Sequence, residues 1–278
     1  MLKIVKGVAL IGVLTIALIG LAAPVQPALA GTIILEGSDA IGFHSGCGVC
    51  DAQAYRDQTW KAIGGSDPRT IAVIGHEPVS AGIIGSGTHP ITRFETTADA
   101  IAAGGLGNYV ALYFLATGGC CTEDDTLPAG HEAEISAYLA AGGTVMIENY
   151  TGSAAWDFAV GAGGAGNAHV AGVGGGLPSS LSCDDGETVT PTGLANGFPQ
   201  PAPMGCWTHQ AYDQNFFGPL GFNLSFFDSP TDIGLTGPFS SLLSSGRTVT
   251  GAPEPASLVL LGLGLAGLAA IARRRRQA

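Results

Sequence analysis

Basic residues are scarce between the two ends of this chain. Residues 31–252 contain five basic side chains against 21 acidic ones, which gives a net charge of −16. A surface that binds nucleic acid needs clustered lysine and arginine. The composition therefore disfavours nucleic-acid binding, and we predict no nucleic-acid partner; the acidity favours a protein that stays soluble and monomeric.

The motifs of common nucleotide and metal enzymes are also missing. The chain has no P-loop, and the glycine-rich residues 161–176 lack the strand, turn and helix that surround a dinucleotide site. His131 and Glu132 lack the second histidine of a zinc protease motif. We predict that they lie in the first turn of a helix, and that the protein has no cofactor and no catalytic metal.

The beginning of the chain has the pattern of a secretory signal peptide. Lys3 and Lys6 precede an apolar stretch, residues 8–23, and Ala28-Leu29-Ala30 supplies small residues on either side of a larger one before Gly31. We predict cleavage by signal peptidase between Ala30 and Gly31. The apolar stretch is also long enough for an uncleaved anchor, so that alternative stays open.

The end of the chain has the pattern of a short membrane span. Residues 256–272 are 17 residues without a charge, and Arg273, Arg274, Arg275 and Arg276 follow directly. About 17–25 apolar residues are needed to span a membrane, and cationic flanks stay on the cytoplasmic side. The positive charges at both ends therefore predict that the segment between them is exported.

Pro253-Glu254-Pro255, the apolar stretch and the arginine cluster together resemble the PEP-CTERM sorting signal of Gram-negative bacteria. That resemblance implies recognition and cleavage by exosortase, a membrane transpeptidase. It also implies an inner-membrane intermediate, followed by a place at the cell surface or in an extracellular biofilm matrix with exopolysaccharide. We divide the chain into a signal peptide (1–30), an exported domain (31–250) and a sorting signal (251–278).

All six cysteines lie in the predicted exported domain: Cys47, Cys50, Cys120, Cys121, Cys183 and Cys206. An even number in an oxidising compartment favours disulfides, and six cysteines allow 15 pairings. Cys183 and Cys206 flank a loop rich in proline and glycine, which makes them our preferred pair. A zinc site from Cys47, Cys50, Cys120 and Cys121 is an alternative with the right ligand type.

Apolar segments alternate with helical patterns in the first half of the exported domain. We predict strands at residues 32–36, 70–75, 109–115 and 144–148, and helices at residues 51–63, 94–103 and 131–141. Later residues read as loops at 160–176 and 177–205, as late strands at 206–213 and 220–228, and as a final helix at 239–245. The alternation predicts an α/β fold with a doubly wound, mostly parallel sheet.

Residues 109–152 carry a second resemblance. The strand "YVALYFLATGG" and the segment "HEAEISAYLAAGGTVMIENYTG" resemble the core of class I glutamine-amidotransferase-like domains, which implies a flavodoxin-like fold. The family's nucleophile turn corresponds to residues 148–152, which contain Thr151 but no cysteine, and His209 lacks the expected neighbours. We therefore predict the fold without the reaction.

Three hypotheses about the exported domain follow. The first is a non-catalytic binding or structural domain, and the second is a thiol-disulfide oxidoreductase that uses Cys47 and Cys50 as a C-x-x-C pair. The third is a Ca²⁺-dependent adhesive module, whose oxygen ligands would come from the two acidic groups Glu123, Asp124 and Asp125, and Asp184, Asp185 and Glu187. We prefer the first, and we interpret both acidic groups as solvated turns.

Overall fold

The computed structural model describes the chain in separate stretches that together form one mixed sheet with helices. The described residues are 31–38, 40–41, 52–75, 89–117, 128–149, 166–181, 187–198, 209–229 and 233–245. Within them, no helix is long and apolar enough to cross a membrane. The predicted span at residues 256–272 lies outside the described residues.

Five parallel strands form the first half of a ten-stranded sheet. They are β1 (Thr32–Glu36), β2 (Ile71–Ile74), β3 (Ile91–Phe94), β4 (Ala111–Thr117) and β5 (Thr144–Asn149). Their order across the sheet is β3-β2-β4-β5-β1, and every pair in this order is parallel. The predicted parallel sheet is therefore confirmed for these strands.

Strands β1, β2, β4 and β5 are largely apolar on both faces because helices cover both sides of the sheet. On β1, Ile33 and Leu35 belong to one core cluster and Ile34 belongs to the other, as the alternation of side chains along a strand requires. The helices are α1 (Ala52–Gly64), α2 (Thr97–Ala102) and α3 (Glu132–Ala140). Helix α1 contributes Trp60 to the second cluster, whereas α2 and α3 contribute to the first.

The second half of the sheet is antiparallel. Its strands are β6 (Val170–Gly172), β7 (Thr188–Val189), β8 (Gln210–Asp213), β9 (Leu224–Asp228) and β10 (Phe239–Ser244). Strand β10 joins the two halves of the sheet. On one side it pairs with β9. On its other side, the end of β10 pairs with β1 and its beginning pairs with β8. Two short helices complete the described fold, α4 (Pro191–Ala195) and α5 (Gln214–Phe217).

The structure corrects four of the predicted elements. The predicted helix at 94–103 begins only at Thr97, because residues 91–94 form β3 and Thr96 caps the helix with Asp99 in a reciprocal capping box. The predicted final helix at 239–245 is strand β10, whose six residues are all buried. The predicted loops at 160–176 and 177–205 contain β6, β7 and α4.

The position of β1 distinguishes this sheet from the flavodoxin-like order. In that order, 2-1-3-4-5, the first strand lies inside the sheet between the second and third. Here the order is β3-β2-β4-β5-β1. Strands β2, β3, β4 and β5 thus occupy the places of the first four flavodoxin-like strands, and β1 occupies the place of the fifth. The doubly wound arrangement is present, and the flavodoxin-like strand order is not.

Candidate functional site

Two buried glutamates lie side by side where the parallel strands end. Glu36 on β1 and Glu148 on β5 are directly paired in the parallel register, and both are fully buried. They follow Ile34 and Met146 by two residues, so they lie on the α1 face of the sheet. Neighbouring strands are about 4.8 Å apart. Two acidic side chains are thus held next to each other inside the protein.

Glu36 accepts two hydrogen bonds from hydroxyl groups. The Tyr113 hydroxyl on β4 donates to Oε2 at 2.6 Å, and the Ser38 hydroxyl donates to Oε1 at 2.9 Å. The first distance lies in the range of a hydroxyl bound to an ionised oxygen. Glu148 Oε1 accepts the backbone N–H of Ile41 at 2.9 Å. Glu36 therefore has the surroundings of a carboxylate that carries its charge.

A third glutamate reaches the same region from a later part of the chain. Glu187 directly precedes β7, and only 9% of its surface is exposed. Neither of its carboxyl oxygens has a hydrogen-bond partner within 3.5 Å, although the Ser241 hydroxyl lies near enough to lower its pKa. We name Glu36, Glu148 and Glu187 the carboxylate cluster.

The pKa values show that these groups act on one another. Burial raises the pKa of Glu187 well above its usual value, and the negative charge of Glu36 adds to that shift, while the nearby Ser241 hydroxyl opposes it. Burial also raises the pKa of Tyr113, with Glu148 and Glu36 adding to the effect. The pKa of Tyr55 is raised by burial first and then by Glu36. Three acidic groups thus share one buried environment.

The cluster does not have the geometry of a metal centre. Among the residues that the structure describes, no three His, Cys, Asp or Glu side chains converge closely enough to hold a metal ion. The interpretation of Glu187 as part of a solvated turn is wrong, because the side chain is buried. The other acidic residues proposed for Ca²⁺ lie outside the described residues: Glu123, Asp124, Asp125, Asp184 and Asp185.

The predicted cysteine, cleavage and sorting sites lie almost entirely outside the described residues. This applies to Ala28 and Ala30, to all six cysteines, to Thr151, to Pro253, Glu254 and Pro255, and to the four terminal arginines. His131 and Glu132 lie where they were predicted, at the N-cap and first residue of α3. His209 is buried beside β8, where its backbone N–H donates to the carbonyl of Gly37 at 2.7 Å.

Sequence reasoning missed Glu36 and Glu148 as a pair. Their signal was present in the repeated pattern of β1, "TIILE", and β5, "TVMIE", in which a buried strand ends in glutamate. Each glutamate alone resembles a polar residue at the start of a loop. Only the strand order, which puts β1 beside β5, brings the two together.

The first and last residues of the described fold lie at one edge of the sheet, where β1 begins. The carboxylate cluster lies at the opposite edge, where β1 ends. Strand β1 begins at Thr32, and its antiparallel neighbour β10 ends there, with the Ser245 N–H donating to the carbonyl of Ile33 at 2.8 Å. Gly31 is buried, and a side chain there would overlap the backbone of Gly143 and Leu139. The segments before and after the fold therefore leave it from neighbouring positions.

The C-terminal tail matches a known sorting motif, and this match indicates where the protein is sent. Residues 252–276 match the PEP-CTERM protein-sorting motif. The PEP-CTERM motif implies an exported protein that exosortase processes and that is sorted through the membrane towards the cell surface. The match includes Pro253, Glu254 and Pro255 as well as the four arginines. The predicted sorting signal is confirmed.

The chain has no significant match among curated proteins or solved structures. The resemblance to amidotransferase-like domains thus has no support from these comparisons. What the domain does must be argued from its own residues.

Proposed function

We propose that this protein is displayed at the surface of a Gram-negative cell or in its biofilm matrix, where the α/β domain has a binding or structural role. The observation that carries the proposal is the PEP-CTERM motif at residues 252–276. In this proposal, signal peptidase removes residues 1–30, and exosortase cuts near Pro253-Glu254-Pro255 after the tail has held the chain in the inner membrane. Exopolysaccharide is the proposed partner.

The layout of the fold supports a domain that is presented away from the membrane. The described fold begins at Gly31 and ends at Ser245 on the same edge of the sheet, and residues 246–252 separate that edge from the PEP sequence. Seven extended residues reach at most about 25 Å. A chain held by its tail would therefore keep this edge near the membrane and the opposite edge, with the carboxylate cluster, farther from it.

The chemistry of the described residues supports binding or structure over catalysis. The carboxylate cluster is enclosed by protein, since Glu36 and Glu148 are fully buried and Glu187 is 91% buried. A general acid or base must come within hydrogen-bond reach of its substrate. Carboxylates that are buried in this way fit a structural role.

Processing can be tested by mass spectrometry of the protein isolated from cells that contain exosortase. We expect the mature wild-type protein to lack the apolar stretch and the arginines. A Glu254→Ala variant should keep the tail through Ala278, because the PEP sequence is the proposed recognition element. Glu132→Ala, which changes an exposed glutamate in α3, is the matched control and should be processed normally. An intact tail on the mature wild-type protein would contradict the proposal.

A further inference from the structure

We propose that the Glu187 carboxyl is a buried proton-binding site, and that its proton holds residues 187–198 closed over the sheet. We name residues 187–198 the cover segment. The proposal rests on the burial of Glu187, on the lack of partners for both of its carboxyl oxygens, and on its closeness to Glu36. A buried carboxylate without hydrogen bonds or a cation is strongly unfavourable, whereas a neutral carboxyl group is tolerated.

The distribution of charge in the cluster assigns the proton to Glu187. Glu36 accepts hydrogen bonds from Tyr113 and Ser38 and is thereby stabilised as the ionised member. A second negative charge near it would be repelled in a medium that screens charge poorly. Neither carboxyl oxygen of Glu187 makes a hydrogen bond, and the nearby Ser241 hydroxyl opposes the rise in its pKa only in part. It therefore keeps its proton while Glu36 carries the charge.

The groups that interact electrostatically with Glu187 are Glu36 on β1, Tyr55 on α1 and Ser241 on β10. Other titratable or charged groups on neighbouring elements are Tyr113 on β4, Glu148 on β5, Arg56 on α1 and Asp228 on β9. Arg56 is buried and donates to Asp57 Oδ1 at 2.8 Å. Asp228 is exposed and is paired with Thr188. Among the described residues, the groups that shift the pKa of Glu187 include no cation, which supports a proton as the neutralising species.

The cover segment is attached along β9 and at its far end to α1. Val189 pairs with Phe227, and the Thr190 N–H donates to the carbonyl of Phe226 at 3.0 Å. Phe198 stacks on Tyr55, with ring centroids 5.9 Å apart. The Gln58 side chain donates to the carbonyl of Asn196 at 2.7 Å. Glu187 is at the other end of this attachment, so its ionisation would favour release of the cover segment into water.

The sign of the pH dependence follows from linkage. The pKa of Glu187 is higher in the closed state than in an opened segment, where a glutamate has a pKa of about 4.3. At pH values between the pKa of Glu187 in the open state and its pKa in the closed state, the closed state holds one proton more than the open state. Raising the pH through this window therefore favours opening, up to tenfold per pH unit. Below about pH 4.3, this contribution to closure is fully present.

Hydrogen exchange of the full chain in mild detergent tests the proposal. Protection factors of backbone amides in residues 188–198 are compared in wild type and Glu187→Gln at each pH, which cancels the intrinsic pH dependence of exchange. We expect protection in the wild type to fall up to tenfold per pH unit relative to the variant within the window. Glu132→Gln, which changes an exposed carboxyl, should follow the wild type.

Infrared difference spectroscopy supplies a second measurement that does not depend on opening. The wild type should show the carbonyl band of a protonated carboxylic acid at neutral pH, and the intensity of this band should fall in Glu187→Gln. Parallel protection profiles for wild type and Glu187→Gln, or the same band in both proteins, would overturn the proposal. A third outcome would also overturn the proposal: millimolar Ca²⁺ raises the protection of the wild type at pH 8 and leaves the protection of Glu187→Gln unchanged. A cation would then occupy the site.

Discussion

At the scale of residues, the most consequential contact is between Tyr113 and Glu36. The tyrosine hydroxyl donates to a fully buried carboxylate, as the Ser38 hydroxyl does, and it also lies near Glu148 and Tyr55. A buried acceptor that loses its donor incurs the cost of desolvation without compensation. The contact therefore stabilises the charge of Glu36 and, through it, the arrangement of the whole cluster.

We expect Tyr113→Phe to lower the free energy of unfolding by about 1–3 kcal/mol, because the ring stays and only the hydrogen bond to a buried charge is lost. Tyr138→Phe is the matched control, since its hydroxyl donates to the neutral carbonyl of Tyr109 at 3.3 Å. Urea denaturation followed by tryptophan fluorescence measures both. Equal losses in the two variants would contradict the special role of the Tyr113 hydroxyl.

At the scale of elements, the close approach of α4 to β9 decides how the cover segment packs. Thr190 caps α4 by accepting the N–H of Gly193 at 3.0 Å. Gly193 lies so near the carbonyl of Phe226 that an added Cβ would overlap it. Only glycine allows the helix to lie this close to the strand.

We expect Gly193→Ala to destabilise the protein by about 1–3 kcal/mol, because the overlap forces α4 away from β9. Gly107→Ala is the control, since an added Cβ there meets nothing within 4 Å. It should change stability by less than about 0.5 kcal/mol. Chemical denaturation provides the comparison, together with hydrogen exchange of residues 188–198. Unchanged exchange there in Gly193→Ala would show that the close approach is unimportant.

The elements also show where sequence reasoning succeeds and fails. Helix α1 and strands β1, β2, β4 and β5 were predicted to within about two residues, because uninterrupted apolar runs and glycine stops are local signals. Strand β3 was missed, since "ITRF" contains an arginine and all four residues are only half-buried. The sequence predicts a helix in place of strand β10, because "FSSLLS" is short and has no clear period. Its strand form depends on β1, β8 and β9 beside it.

At the scale of the whole molecule, the two ends of the fold meet at one edge of the sheet. The predicted cleavage after Ala30 would leave Gly31 as the first residue, directly at the start of β1. Gly31 is already packed against the backbone of Gly143 and Leu139. A mature chain that starts at Gly31 would have no further residues between its N-terminal residue and strand β1.

We therefore expect the N-terminal peptide of the mature protein to begin with Gly31, as read by mass spectrometry or N-terminal sequencing. A Gly31→Val variant should fold less stably, because the new side chain overlaps the backbone of α3 and the turn after it. Thermal unfolding of the two proteins, purified in the same way, measures the loss. A mature protein that retains Lys3 and Lys6 would instead support the uncleaved anchor.

The sequence by itself determined the destination of this protein and most of its early strands and helices. Those properties depend on contiguous residues: an apolar stretch, a run of arginines, or an alternation of strand and helix patterns. Only the tertiary structure decided that β1 lies beside β5 and that residues 187–198 pack over the α1 face. Glu36, Glu148 and Glu187 are far apart in sequence, and the buried acidic site exists because strand order and packing bring them together.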